Sequence, residues 1–436
     1  MKQFFLSFQG LGPFLTLWST QSLSSLGSSM TSFALIIWSY QQEGSALTTS
    51  LLSVCSYAPY VLLSIFAGAL SDKWDKKRTL LLSDSIAAFT TLCVWGLFSI
   101  GSLQVWHLYL LNAINGLMNA FQNPASEVAV SLLIPEERYQ RAAGLRSFSN
   151  SLVTVFTPMI ASLLLSFGGL EAVLLADFLS FSLAFFTLFF FISLPTSFSQ
   201  KKTCQEPVFK VAGEGLDYLL KKPGIFYLIL FLSAINFTAS VYQAALAPML
   251  LSRDGGGEGA FGVINTVTGI VTLVGSILAS LLPAPKSRVR VICNTLLFSM
   301  CTENFLLAFG NSLPIWCVGA ALGWVTVPLM SVNMDALLRS QIPVHLQGRI
   351  YAVRNALQFF TIPVGNLVGG FLVDVVFEPF MAGQGENSPF IMMFGNGKGS
   401  GAALLFCVLG ILGAVTCLCF RRNRHIWALE HRYDKL

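Results

Sequence analysis

Five carboxamides in one apolar stretch are the first residues placed to meet a solute. Asn112, Asn115, Asn119, Gln122 and Asn123 follow i, i+3, i+7, i+10 and i+11, so on a helix they share one face. Carboxamides turned toward lipid would leave donors and acceptors unpaired, at about 2–7 kcal/mol each. The face must line a wet cavity, where the amides would touch a substrate, or bond to a neighbouring helix as interhelical glue. Gln21, Ser25, Ser28 and Ser32 form a matching face earlier in the chain, and Asn236, Ser240 and Gln243 repeat the idea later.

A second group of residues could handle protons. Asp177, Glu303 and Asp374 lie within or at the outer end of apolar runs, where an ionised carboxyl is costly. A carboxyl that exchanges its proton near neutral pH is what proton coupling requires, which makes Asp177 the first candidate and Glu303 the second. A structural carboxyl satisfied by neighbouring donors is the alternative for each. Other chemistries lack their residues. No phosphate-binding Gly-rich loop with Lys is present, so the chain itself offers no site for ATP. His107, His345, His425 and His431 lie near the ends of apolar runs or in tails, and no Cys–His cluster has metal-ligand spacing. No catalytic residues, metal or cofactor are expected.

The elements that must position these residues are set by composition. Of 436 residues, 54% are hydrophobic and only 11% charged, against about 25% charged in a soluble domain. The chain therefore reads as an all-α polytopic membrane protein. The net charge of +5 comes from basic residues in short loops, which is no signal for nucleic acid. The start, Met1-Lys2-Gln3-Phe4-Phe5, lacks a secretory layout, and the first apolar run is expected to be a retained span.

Twelve spans are predicted, over about 12–40, 46–70, 79–100, 104–132, 143–166, 171–194, 224–251, 260–282, 290–310, 313–338, 350–376 and 400–420. With the N-terminus inside, only Arg253 and Lys398 of the 26 Lys and Arg fall in outer loops. Shifting the count by one span would scramble that asymmetry, so both termini are expected to be cytoplasmic. Residues 1–195 would form one six-helix bundle and 223–436 a second, ending in a basic cytoplasmic tail. Between them, 196–222 is a polar linker in which Phe209, Ala212, Leu216, Leu219 and Leu220 recur at helical spacing, predicting a short amphipathic helix on the membrane surface.

The halves repeat. Ile134-Pro135 begins one interspan segment and Ile342-Pro343 another, at an offset of 208. The same offset, without a gap, pairs Arg141 with Arg349, Arg146 with Arg354, and Glu127 with Asp335. Duplicated bundles related by an axis along the membrane normal are a transporter architecture.

Between spans two and three runs the charged hinge Gly68-Ala69-Leu70-Ser71-Asp72-Lys73-Trp74-Asp75-Lys76-Lys77-Arg78. At Gly68, Asp72, Lys73, Lys76 and Lys77 it resembles the signature loop of the major facilitator superfamily; it departs at Asp75, where the family usually has Gly. The second copy, Pro283–Arg288, keeps basic residues and lacks the Gly and the acid. Phe121-Gln122-Asn123-Pro124-Ala125, Ala176-Asp177 and Gln347-Gly348-Arg349 resemble the drug:proton antiporter branch that contains macrolide-efflux proteins and siderophore exporters. Thr157-Pro158-Met159-Ile160-Ala161-Ser162 on span five keeps only the proline of the antiporter motif, while Ile362–Gly370 on span eleven keeps more glycine.

That resemblance implies a major facilitator fold with spans one, four, seven and ten around a central cavity. Those four spans carry no acid at mid-depth, so a neutral cavity of amides and aromatics is expected, with Trp18, Tyr242 and Trp324 as candidate walls. Glu127 and Asp335 would pair with loop cations in a cytoplasmic gate, Glu127 with Lys76, Lys77 or Arg78, and Asp72 would meet the start of span eleven near Arg349. The expected function is export of an amphipathic organic molecule, drug-like or siderophore-like, by alternating access with proton antiport, by a monomer in the cytoplasmic membrane. A lysophospholipid flippase or a dedicated metabolite exporter not driven by protons is the alternative, and a non-transporting sensor or scaffold a third.

Overall fold

Backbone groups in lipid have no water to pair with, so long apolar runs close their hydrogen bonds internally as helices. The computed structural model describes residues 12–71, 75–133, 139–192, 217–283, 285–342, 344–385 and 387–430, and its regular elements are all helical. The chain opens with α1 (Gly12–Glu43), α2 (Ala46–Ser71), α3 (Lys76–Ser99), α4 (Val105–Leu133) and α5 (Tyr139–Phe190). It continues with α6 (Pro223–Ser252), α7 (Glu258–Leu281), α8 (Arg288–Phe309), α9 (Leu313–Val325), α10 (Val327–Gln341) and α11 (Val344–Phe371). A π-helical stretch (Leu372–Phe377), α12 (Glu378–Ala382), α13 (Pro389–Phe394), α14 (Ser400–Arg421) and α15 (Arg424–Trp427) complete it.

Three spans are drawn differently from the sequence reading. α5 holds both spans five and six, and the chain reverses at Gly169, whose φ of 63° and ψ of −163° suit a residue without Cβ. Span ten is split at Thr326, because Pro328 sits at the start of α10 and cannot continue the hydrogen-bond ladder. Most of the expected linker, 193–216, lies outside the described residues, as do Asp72 and Lys73 of the charged hinge.

By packing, the chain divides into two units, Met1–Ser39 with Cys55–Thr203, and Tyr40–Val54 with Cys204–Leu436. In the first, α3 packs on α4 and α5, and Leu17, Leu80, Ala125, Ala129, Leu188 and Ile192 form a buried cluster. In the second, α11 lies close along α6. A Cβ on Gly365 would stand 2.6 Å from that of Ser240, and one on Gly369 2.7 Å from that of Ala244. The retained glycines of span eleven are thus what admits this contact. The second unit includes the turn joining α1 to α2.

Carboxylates close several span N-termini, where unpaired N–H groups and the helix dipole favour negative charge. Asp75 caps α3 by accepting from Arg78 N at 2.8 Å. That accounts for the hinge's departure from glycine, since Asp is the stronger N-cap. At α8, where the repeated loop lacks its acid, Glu430 from the tail accepts from Ser287 Oγ at 2.9 Å and Val289 N at 2.7 Å.

Candidate functional site

The amide face of α4 meets a carboxylate that the sequence reading passed over. Asp84 on α3 is 1% exposed. Its Oδ2 accepts from Gln21 Nε2 of α1 at 3.0 Å and its Oδ1 from Gln122 Nε2 of α4 at 2.7 Å. Two residues expected on the walls of a neutral cavity therefore converge on an acid from a third helix. The signal in the sequence is a single Asp eight residues beyond the first residue of a 24-residue span, on a helix outside the four that the resemblance places around the cavity.

Higher on α4, Asn115 Oδ1 accepts from Thr90 at 3.0 Å, which makes this amide a link to α3. Asn112 turns its Nδ2 back to Leu108 O. Asn119 and Asn123 are exposed, as are Ser25 and Ser32 of α1. The face thus divides in two: Asn115 and Gln122 serve neighbouring helices, while Asn119 and Asn123 present themselves outward.

Asp177 is also 1% exposed. Its oxygens accept from Ser28 at 3.3 Å, Thr31 at 2.9 Å and Thr91 at 3.0 Å. Three hydroxyls from α1 and α3 hold it, with α1 brought close by Gly27, where a Cβ would come within 2.8 Å of Asp177 Oδ1. Asp84 and Asp177 lie on one seam. Gln21 and Ser28 are seven residues apart on α1, and Asp84 and Thr91 seven apart on α3, a separation of about 10 Å.

In the second unit Glu303 of α8 is 5% exposed. It accepts from Trp324 Nε1 at 2.7 Å and from the Tyr242 hydroxyl. Two aromatics proposed as cavity walls thus turn their polar atoms to this acid instead. The third, Trp18, has a buried indole N–H with no partner among the described residues. Asn236 is partly buried and Gln243 exposed on α6.

Near the junction of α10 and α11, Arg354 of α11 reaches Asp335 Oδ1 at 3.3 Å and Gln358 Oε1 at 3.2 Å. Asp335 does pair with a cation, but one from the span rather than from a loop. Lys77 differs from expectation more sharply. Its ammonium donates to the carbonyls of Phe189 at 3.0 Å and Ile192 at 2.6 Å, where the C-terminal dipole of span six attracts positive charge. Lys76 and Arg78 open α3. Gly68, Glu127 and Arg349 are within helices, and their surroundings lie outside the described residues.

Long apolar helices that hide their acids among neutral donors, with Gln21, Asn115 and Gln122 bonding across helices, are the build of a polytopic transport protein. The family model for the Major Facilitator Superfamily matches residues 17–282, and the chain belongs to that superfamily. Macrolide efflux protein A of Streptococcus pyogenes is 24% identical over 368 residues, covering 83% of this chain and 89% of the relative. The enterobactin exporter EntS of Shigella flexneri is 25% identical over 318 residues, 70% of each chain. Two solved structures share the fold. The nucleoside transporter NupG has a TM-score of 0.64 at 12% identity, over 94% of this chain and 99% of that one. A bacterial homologue of the iron transporter ferroportin has a TM-score of 0.66 at 15% identity, over 95% and 99%.

Proposed function

We propose that this transporter exports amphipathic organic molecules, macrolide-like or siderophore-like, by alternating access coupled to proton entry. The observation that carries the reading is the polar interior of the first unit, where two carboxamides bond to a carboxyl and, among the described residues, no Lys or Arg does. Such a wall suits a large neutral or weakly cationic solute and disfavours strongly anionic cargo, which would call for guanidinium or ammonium groups at depth. Likeness to a macrolide efflux protein and an enterobactin exporter supports the same choice. Gln21, Ser25, Asn112, Asn115, Asn119, Gln122, Asn236 and Gln243 are proposed to take part in cargo recognition, Asp177 and Glu303 in coupling, and the Gly68–Arg78 hinge with Glu127, Asp335 and Arg349 in cytoplasmic gating. It is proposed to act as a monomer in the cytoplasmic membrane with both termini inside.

Everted vesicles given an imposed pH gradient test the reading. Radiolabelled erythromycin or enterobactin should accumulate, and a protonophore should abolish the accumulation. Failure of both compounds to accumulate would sink it. A second reading, export driven by the substrate gradient alone, is favoured by one feature: Asp177 and Glu303 are each satisfied as a structural carboxyl would be. Under that reading Asp177→Asn and Glu303→Gln leave transport intact. Under proton antiport at least one uncouples it.

A further inference from the structure

Asp84 lies outside the quoted motif residues, yet among the described residues it is the carboxyl bonded to a glutamine of α1 and a glutamine of α4. We propose that Asp84 takes up and releases a proton, and that each change inverts the Gln21 or Gln122 carboxamide bonded to it, so that protonation rewrites the hydrogen-bonding pattern offered to cargo. The proposal rests on the exporter reading for its second half only.

The geometry supplies the argument. Asp84 is eight residues beyond Lys76 at the start of α3, about 12 Å along the helix axis, and is shut off from solvent. Each carboxylate oxygen accepts one amide N–H. A Lys or Arg in place of the glutamines would fix the negative charge, because neither can accept a hydrogen bond. A carboxamide can. When a proton from water on one side binds a carboxylate oxygen, the new O–H needs an acceptor, and a half-turn of one amide brings its Oε1 where Nε2 stood. Nitrogen and oxygen are nearly the same size, so the turn needs no repacking. Release of the proton to water on the other side reverses it. No electron or other reactant takes part.

Both protonation states are therefore satisfied, and they differ in what the amide shows to its other neighbours. Gln21 and Gln122 are only partly buried, beside the exposed Ser25 on α1 and the exposed Asn119 and Asn123 on α4. One inversion replaces a C=O with an NH2 on that surface. Other charged groups on the surrounding elements do not take over the role. Lys76, Lys77 and Arg78 are at the start of α3, and Lys77 is held by the Phe189 and Ile192 carbonyls. On α4, His107 is near the far end and Glu127 near the cytoplasmic end. On α5, Arg146 is itself engaged, Glu171 follows the turn at Gly169, and Asp177 is bound by its three hydroxyls. α1 carries no charged residue before Glu43.

Infrared difference spectra of the purified full chain in lipid nanodiscs, between alkaline and acid pH, read the proton directly. A carboxylic C=O band should form in the native protein and in Asp177→Asn, and should be diminished in Asp84→Asn. In native protein carrying isotope-labelled glutamine, a side-chain carboxamide band should move over the same pH step, a measurement that requires no substitution. An undiminished carboxyl band in Asp84→Asn, or a carboxamide band that stays fixed, would overturn the proposal and leave the exporter reading standing. In proteoliposomes, Asp84→Asn should lose pH-driven accumulation of erythromycin, and retention of that accumulation would likewise overturn the proposal. If native protein moves no erythromycin, the exporter reading for that compound fails, and the spectra still decide whether Asp84 titrates.

Discussion

The carboxylate of Asp374 accepts from the backbone N–H of Ala46 at 2.9 Å and of Leu47 at 2.8 Å, and from Ser45 Oγ at 2.6 Å. It belongs to the π-helical stretch after α11 and closes the N-terminus of α2. One helical turn on, Glu378 does the same for α14, accepting from Gly399 N at 3.0 Å and Ala402 N at 3.1 Å. Two acids at the end of span eleven thus clamp two spans.

Asp374→Asn should loosen the turn between α1 and α2. An amide keeps one oxygen and points an NH2 at backbone donors, so charge-assisted bonds are lost at a cost of about 1.5–3 kcal/mol. Ser50 reports the change, being 2% exposed and packed 2.7 Å from the place of a Cβ on Gly370. In a cysteine-free background, Ser50→Cys should react faster with an impermeant maleimide when Asp374 is also Asn. Equal labelling rates would refute the clamp.

The α6–α11 contact depends on having no side chain at two positions. Gly365→Val and Gly369→Val each force a branched side chain into space already filled by Ser240 or Ala244, and overpacking of this kind costs about 1–3 kcal/mol. Both variants should melt below native protein in a detergent thermal-unfolding assay. Gly397→Val is not a fair control because of its positive φ. Gly96→Ala is, since nothing lies near a Cβ there.

Glu430 ties the tail to α8. Ile426 and Leu429 beside it are buried in the core of the second unit, and Gln341 donates to Leu429 O at 2.9 Å. Glu430→Gln keeps the size and removes the charge at a helix N-terminus, so a modest loss of about 0.3–1 kcal/mol is expected. Truncation after Arg422 removes the apolar anchors as well and should lower Tm much further. A truncated chain that melts like the native one would show the tail to be passive.

Helix positions, the internal repeat and the superfamily were legible because they rest on long-range regularities: apolar runs, the Lys/Arg asymmetry, and pairs such as Arg146 and Arg354 in register. Asp177 and Glu303 could be found as lone acids in apolar runs. Their partners could not, since Thr31, Thr91 and Trp324 come from other helices whose rotation the pattern leaves open. Asp84 was missed for the same reason. Its meaning lies in Gln21 and Gln122, residues 63 and 38 positions away, which already had a reading as cavity wall. The carbonyl partners of Lys77 were not legible either, because the C-terminus of a span offers acceptors to a cation as well as an acid does.

Glu303 separates a structural role from a coupling role by the choice of replacement. Glu303→Ala leaves the Trp324 indole N–H and the Tyr242 hydroxyl facing a cavity, and an unpaired buried donor costs about 1–3 kcal/mol. Glu303→Gln retains an acceptor for Trp324, so it should melt close to native protein while the Ala variant melts well below. Gly323→Ala should resemble the Ala variant, because a Cβ there would lie 2.6 Å from Glu303 Oε2 and displace it. If Glu303→Gln is stable and still concentrates erythromycin under a pH gradient, Glu303 is a brace between α8 and α9. If it is stable and binds erythromycin without concentrating it, the carboxyl carries the proton.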